Sequence, residues 1–341
     1  MARVSIIGGG NVAHALAAMF AREDTVTVIT RRPNLWNNQL LFSLDGKLFK
    51  TSRLIYATSS MSYVSESRII VVALPQFAVE SVLSELVRHV MSRSTIIFIP
   101  APAKISQYAR MFVKDVGVVG LQRVPFVARI AEYGKLVKIS GCRAVHRIAF
   151  SESVDVDAIS ALIKNLAGGQ VETMSSLLAL SFSNSNALLH PSRLCVLFKE
   201  WRNRTYCHNP LFYGEWTDAS SELYVSADME MRRVMQHFSE LNLETDYESV
   251  FDHYEVSSAH ELTEKLRSIP SLNKLSSPMI KRGNEWYPDF DSRYFTEDVP
   301  YGTMAIQRCA RDVSAETPTI DRMIAEIESI VMESVHGDAY I

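Results

Sequence analysis

Short apolar runs alternate with amphipathic stretches over the first hundred residues. Arg3 to Gly8 (Arg-Val-Ser-Ile-Ile-Gly) reads as a buried strand, as do Val26 to Thr30, Ile69 to Leu74 and Thr95 to Ile99. Pro75 stops the third of these, and Pro100 and Pro102 follow the fourth. Between them, Ala15, Leu16, Met19 and Phe20 share one helical face, and so do Phe77, Val82, Leu86 and Val90. Strands alternating with helices predict a doubly wound parallel sheet. Residues 35–65 interrupt the pattern, and the Asp45-Gly46 turn signal within them predicts a small hairpin excursion. Four short runs (116–121, 124–130, 136–140 and 147–150) suggest an antiparallel extension closing the first domain. A helix over 155–166 then stops at Gly168-Gly169. Beyond about 173, helical periodicity takes over in 174–189, 194–202, 220–241, 258–269, 301–313 and 318–335, the last opening with a Thr317-Pro318 cap. The prediction is an α/β domain over 1–170 and an all-α domain over 171–341, with a hinge near Gly168 to Glu172.

Composition narrows the class. In 341 residues, 47% hydrophobic and 21% charged, a disordered chain, a coiled-coil rod and a collagen-like repeat are all excluded. A net charge of −3 offers no global field for nucleic acid or an anionic membrane. No apolar run is long enough for a membrane span, and the N-terminal apolar stretch, punctuated by Gly8, Gly9 and Gly10, does not read as a secretion signal. Four scattered cysteines without a CxxC pair argue against a disulfide scaffold or a structural zinc site, so no metal is expected and a cytoplasmic location is.

Gly8-Gly9-Gly10-Asn11-Val12-Ala13 fits G-x-G-x-x-G/A between a strand and a helix, the setting in which that loop binds a dinucleotide. Glycine lets the backbone approach a pyrophosphate, and the helix N-terminus meets the phosphates with free N–H groups. The first domain is therefore expected to be Rossmann-type, with Gly8, Gly10, Asn11, Val12 and Ala13 at the cofactor. The plainer alternative is a glycine-rich turn with no ligand. The second strand ends in Thr30-Arg31-Arg32 and lacks the carboxylate that bonds the ribose hydroxyls in NAD-preferring sites. A guanidinium can bind a 2′-phosphate bidentately, so Arg31 and Arg32 predict NADP(H) over NAD(H). The alternative is a pair of solvated loop arginines.

Two segments of the helical half carry candidate chemistry. Asn186 and His190 are one helical turn apart, and Pro191 disfavours helix at His190, which places the imidazole at a helix end where it could exchange protons. From this segment alone, a C-terminal helix cap is the favoured reading. In Arg293-Tyr294-Phe295-Thr296-Glu297-Asp298-Val299-Pro300-Tyr301-Gly302, a helix beginning near Pro300 would set Asp298 at its positive end, as a cap or as a partner for an imidazole. Arg293 would precede it on an irregular stretch.

In these segments the chain resembles the octopine/nopaline (opine) dehydrogenase family. The resemblance comes in islands: the glycine loop with His14, then Leu74-Pro75-Gln76-Phe77-Ala78, then Pro125 to Lys135, then Asn186…His190-Pro191, then Arg293…Asp298…Gly302. It implies NAD(P)-dependent reduction of the imine formed by an amino acid, or other amine, and a 2-oxo acid such as pyruvate. It implies that His190 transfers the proton, with Asp298 as its partner. It also implies that Arg293 holds the substrate carboxylate, that Asn186 supports it, and that the strand end at Pro75 lies by the cofactor. A cleft between the domains, and a monomer or homodimer, are expected. The chain is shorter than the typical member, and Phe126 stands where a tryptophan is often found, which bears on substrate identity. A simple 2-oxo acid reductase of the ketopantoate-reductase kind and a non-catalytic NADP(H)-sensing protein are the alternatives. His14 is read as a structural histidine. Cys207-His208 is read as loop, and Trp201, Trp216, Trp286 and Tyr213 as packing residues.

Overall fold

The computed structural model describes residues 3–199, 201 and 205–337. The chain divides into two compact units, 1–183 and 184–341. The sequence places the division at 170/171. It falls later because the segment after Gly169 adds one more strand and a short helix to the first unit.

The strands of the first unit are β1 (Arg3–Ile7), β2 (Thr25–Ile29), β3 (Leu41–Leu44), β4 (Lys47–Lys50), β5 (Ile55–Thr58), β6 (Ile69–Val72), β7 (Thr95–Phe98), β8 (Gly117–Leu121), β9 (Phe126–Glu132), β10 (Leu136–Cys142), β11 (Val145–Phe150) and β12 (Gln170–Thr173). Its helices are α1 (Asn11–Phe20), α2 (Gln76–His89), α3 (Ile105–Ala109), α4 (Val156–Ala167) and α5 (Leu177–Phe182). The main sheet has the order β12-β11-β8-β7-β6-β1-β2-β5. From β5 to β8 all pairings are parallel, and the β-branched runs are buried between helices. The chain reverses direction across the sheet between β1 and β6, the switch point at which doubly wound sheets bind ligands.

Two parts of the first unit differ from the sequence reading. The short strands after 116 do not form one antiparallel extension. β8 joins the main sheet in parallel with β7, whereas β9 and β10 leave it to complete a second sheet, β4-β3-β10-β9, with the 41–50 hairpin. That hairpin turns at Asp45 and Gly46, both with positive φ. The strand at 55–58, on the edge of the main sheet, carries no turn-bounded apolar run of its own and is missed by pattern alone.

The second unit holds α6 (Asn186–Leu197), α7 (Asp218–Met235), α8 (Leu243–Asp246), α9 (Val250–Tyr254), α10 (Ala259–Ser268), α11 (Met304–Asp312) and α12 (Pro318–Gly337). A ten-residue π-helix, Tyr294–Thr303, runs directly into α11. Among the described residues of this unit the named strands are those of one hairpin, β13 (Met279–Arg282) and β14 (Glu285–Pro288), which turns at Gly283. The expected helix over 174–189 is broken, because α5 ends at Phe182 and Asn184 Oδ1 accepts from the Asn186 N–H to start α6. The helix expected to reach 202 ends at Leu197, and Arg202 lies outside the described residues. No helix among the described residues is long and apolar enough to cross a membrane.

Candidate active site

The glycine loop sits at the end of β1. Gly8 has φ +140°, and a Cβ there would lie 2.4 Å from the Ala73 carbonyl oxygen at the end of β6. Only glycine fits where these two strand ends meet. The N-terminus of α1 has no side-chain cap and no acidic residue in its first turn, and a Cβ on Gly10 would meet nothing within 4 Å. An open, uncapped N-terminus of a ten-residue helix at the switch point fits a pyrophosphate. Val12 and Ala13 lie in that first turn.

Side chains tie the loop down from outside. Asn11 Oδ1 accepts from the Ile130 N–H at 2.8 Å, so this side chain ties the start of α1 to β9. The Gly134 N–H donates to His14 Nε2 at 2.8 Å, which leaves Nδ1 to donate to the Gly10 carbonyl at 3.0 Å. The ring lies 4.1 Å from that of Trp36 and edge-on to Tyr133. Burial pushes the imidazole pKa down, partly opposed by the Gly10 hydrogen bond. Arg31 and Arg32 are exposed at the end of β2, and the Arg32 guanidinium lies 5.8 Å from the Tyr133 ring centroid. Pro75 caps α2 beside the loop, and Gln76 accepts from the Ala103 N–H.

In the second unit His190 is buried in the middle of α6 and not at a frayed end. Pro191 lies inside the helix and offers no N–H to the Ala187 carbonyl. Thr303 replaces it, its hydroxyl donating to that oxygen at 2.6 Å. Close packing makes this possible, since a Cβ on Gly302 would lie 2.7 Å from that of Ala187.

The helix expected to begin near Pro300 begins at Tyr294, as the π-helix, and Asp298 is inside it and not at its cap. The Met304 N–H reaches back five residues to Val299. Wide turns of this kind recur at functional sites. Here Asp298 Oδ2 lies 2.7 Å from His190 Nδ1. A carboxylate only accepts, so Nδ1 carries the hydrogen. Nε2 lies 2.9 Å from the Tyr213 hydroxyl, and the Tyr294 ring covers the imidazole at 4.1 Å. Burial first, then Tyr294, Tyr254 and Asp298, push the Tyr213 pKa well above the ordinary tyrosine range.

Arg293 opens the π-helix. Its Nε and Nη2 donate to Oε2 of Glu297 at 2.8 and 2.5 Å. The arginine side chain is 79% exposed and that of Glu297 only 6%. Glu297 thus holds one edge of the guanidinium and leaves the Nη1 side outward. Asn186 is exposed at the start of α6, one turn before His190. Sequence reasoning named the His190–Asp298 pair but missed Glu297, Thr303 and the contact of Tyr213 with the imidazole.

A dinucleotide-type sheet followed by a helical unit with a buried His–Asp pair and an outward arginine fits a two-domain, nicotinamide-dependent dehydrogenase. Comparison with known proteins agrees. Residues 173–331 match the model of the NAD/NADP octopine/nopaline dehydrogenase alpha-helical domain, and residues 3–102 match that of the NADP oxidoreductases, coenzyme F420-dependent. Over its helical half the chain thus resembles the opine dehydrogenase family. Tauropine dehydrogenase of Arabella iricolor is 23% identical, over 95% of this chain and 90% of its own. A structure of octopine dehydrogenase with NADH and L-arginine superposes with TM-score 0.85 at 21% identity, covering 97% of this chain and 90% of that one. Yersinopine dehydrogenase with NADP+ gives 0.72 at 11% identity, over 100% and 93%.

Proposed function

We propose that this protein joins an amino acid, or another amine, to a 2-oxo acid such as pyruvate and reduces the resulting imine with NADPH. The observation that carries this reading is the buried pair of His190 on α6 and Asp298 on a π-helix that also presents Arg293.

The nicotinamide cofactor supplies the hydride. Gly8, Gly10, Val12, Ala13 and the Asn11 backbone hold its pyrophosphate at the N-terminus of α1, with Pro75 beside them. Arg31 and Arg32, at a strand end with no carboxylate, hold the 2′-phosphate.

Imine formation needs a neutral amine. With Nδ1–H donated to Asp298, Nε2 of His190 is the nitrogen that ends with the extra proton of the ammonium, and the carboxylate stabilises the charged ring. Arg293 binds the carboxylate of the 2-oxo acid with its outward edge while Glu297 fixes the other. Asn186 supports the bound substrate from the start of α6. Four free cysteines fit a reducing, cytoplasmic setting.

The test is NADPH oxidation against a grid of 2-oxo acids, each with and without a panel of amines. Oxidation that requires both partners supports reductive condensation and names them. Oxidation with the oxo acid alone replaces this reading by a simple reductase. NADPH binding with no turnover across a widened amine panel replaces it by a sensor.

A further inference from the structure

Both ring nitrogens of His190 are engaged. Asp298 accepts from Nδ1, so Nε2 is the nitrogen left to exchange a proton, and it faces the Tyr213 hydroxyl at 2.9 Å. The hydroxyl stays protonated, and as donor it marks the neutral ring's lone pair. Nε2 has one lone pair and this hydroxyl occupies it, so a proton reaches the ring by way of the hydroxyl, whose oxygen accepts the incoming proton as its own hydrogen passes to Nε2.

Tyr213 is held where it is by the helix that carries His190. Arg193, one turn along α6, is buried and donates from Nε to the Phe212 carbonyl at 3.1 Å and from Nη2 to the Glu215 carbonyl at 2.7 Å. These two carbonyls bracket Tyr213. Burial draws the guanidinium pKa down to about 10, partly offset by Glu215. Arg267 donates to the Trp216 carbonyl, and Trp216 stacks on Tyr213 with 9° between the planes. A buried cation placed on backbone carbonyls is a costly way to fix a loop whose tyrosine only fills space.

We propose that Tyr213 relays the proton between the substrate amine and His190, its oxygen accepting from the amine as its own hydrogen passes to Nε2, on the side opposite Asp298. This rests on the reading of His190 as the proton-transferring group. The other ionisable groups around the ring are Asp298 and Tyr294 of the π-helix, with the Arg293–Glu297 pair next to them. Tyr224 of α7 is coupled electrostatically to Tyr213, as is Tyr254 of α9. α12 meets α6 at Ser192 and Cys195 through Met323.

The test is Tyr213→Phe, which keeps the ring on Trp216 and removes the hydroxyl. With 15N-labelled histidine, and His190→Gln to assign the signal, the Nε2 resonance of His190 should move while the Nδ1–H signal stays. The kcat for condensation should fall about tenfold, as for a lost hydrogen bond, with KM for NADPH within about twofold. Placing 3-fluorotyrosine at the position should restore both. An unmoved Nε2 resonance, or wild-type kcat in the phenylalanine variant, overturns the proposal. If His190→Ala keeps full turnover, the functional reading fails instead, and the Nε2 signal still reports on Tyr213 independently.

Discussion

The hydroxyl of Thr303 donates to the carbonyl of Ala187, 2.6 Å away, taking the place of the N–H that Pro191 lacks. The helix of the imidazole and the helix of its carboxylate partner are thereby joined at the point where the first would otherwise break. Thr303→Val keeps the shape and leaves that buried oxygen unsatisfied, at a cost of ~1–3 kcal/mol. Urea denaturation should show the midpoint falling, and kcat should fall with it as the His190–Asp298 distance loosens. An unchanged midpoint would remove Thr303 from this role.

Gly302→Ala tests the same junction from its packing side. The added methyl falls 2.7 Å from the Ala187 Cβ and 2.9 Å from its Cα, so the two helices must separate. Overpacking of this kind costs ~1–3 kcal/mol. Thermal melts would reveal it, and a variant as stable as the parent would show that the helices yield freely.

Arg31→Ala with Arg32→Ala should weaken NADPH and leave NADH nearly untouched. Charge-assisted hydrogen bonds are worth ~1.5–3 kcal/mol, so Kd for NADPH should rise by about tenfold or more. Fluorescence titration of both nucleotides decides it. Equal losses for the two would show that these arginines do not read the 2′-phosphate.

Arg293→Ala should raise KM for the 2-oxo acid by about tenfold or more and leave KM for NADPH close to its original value. It also strands the buried Glu297 carboxylate, so Arg293→Ala with Glu297→Gln should be more stable than Arg293→Ala alone. Steady-state kinetics and melts of the three variants separate binding from stability. Equal effects on both substrates would count against the carboxylate role.

His14 gives the first unit an acid sensitivity. Burial holds its folded-state pKa below the ordinary value near 6.5. In acid the unfolded chain takes the proton first, so this contribution is present above about pH 6.5 and is lost as pH falls through the folded pKa. His146 shifts the same way, again chiefly by burial. Denaturation midpoints at neutral and mildly acidic pH should diverge less in His14→Gln than in the parent. An identical pH dependence would acquit His14.

Much of this was legible in the chain. The parallel strands and the glycine turn are local patterns, and Gly8 is demanded by one backbone contact at a strand end. His190 and Asp298 were paired by resemblance, and they meet across 108 positions. Their settings were not legible. Pro191 signals a helix end to any local rule, because the hydroxyl that satisfies the Ala187 carbonyl is 116 positions beyond Ala187. Pro300 likewise suggests a helix start, yet it lies inside the wide helix that begins at Tyr294. Tyr213 looked like one more aromatic, since neither Arg193 nor the ring nitrogen it serves is its neighbour in sequence.

The wide helix at Tyr294–Thr303 also sets how this region tolerates changes in length. In a regular α-helix each residue turns the chain by about 100°. Removing one residue between Arg293 and Asp298 would let the segment relax to regular winding and swing the carboxylate away from His190, while everything after Met304 kept its own winding. Surface loops accept such deletions readily. In this short stretch, spacing matters as much as residue identity, and the count from Arg293 to Gly302 is itself part of the site.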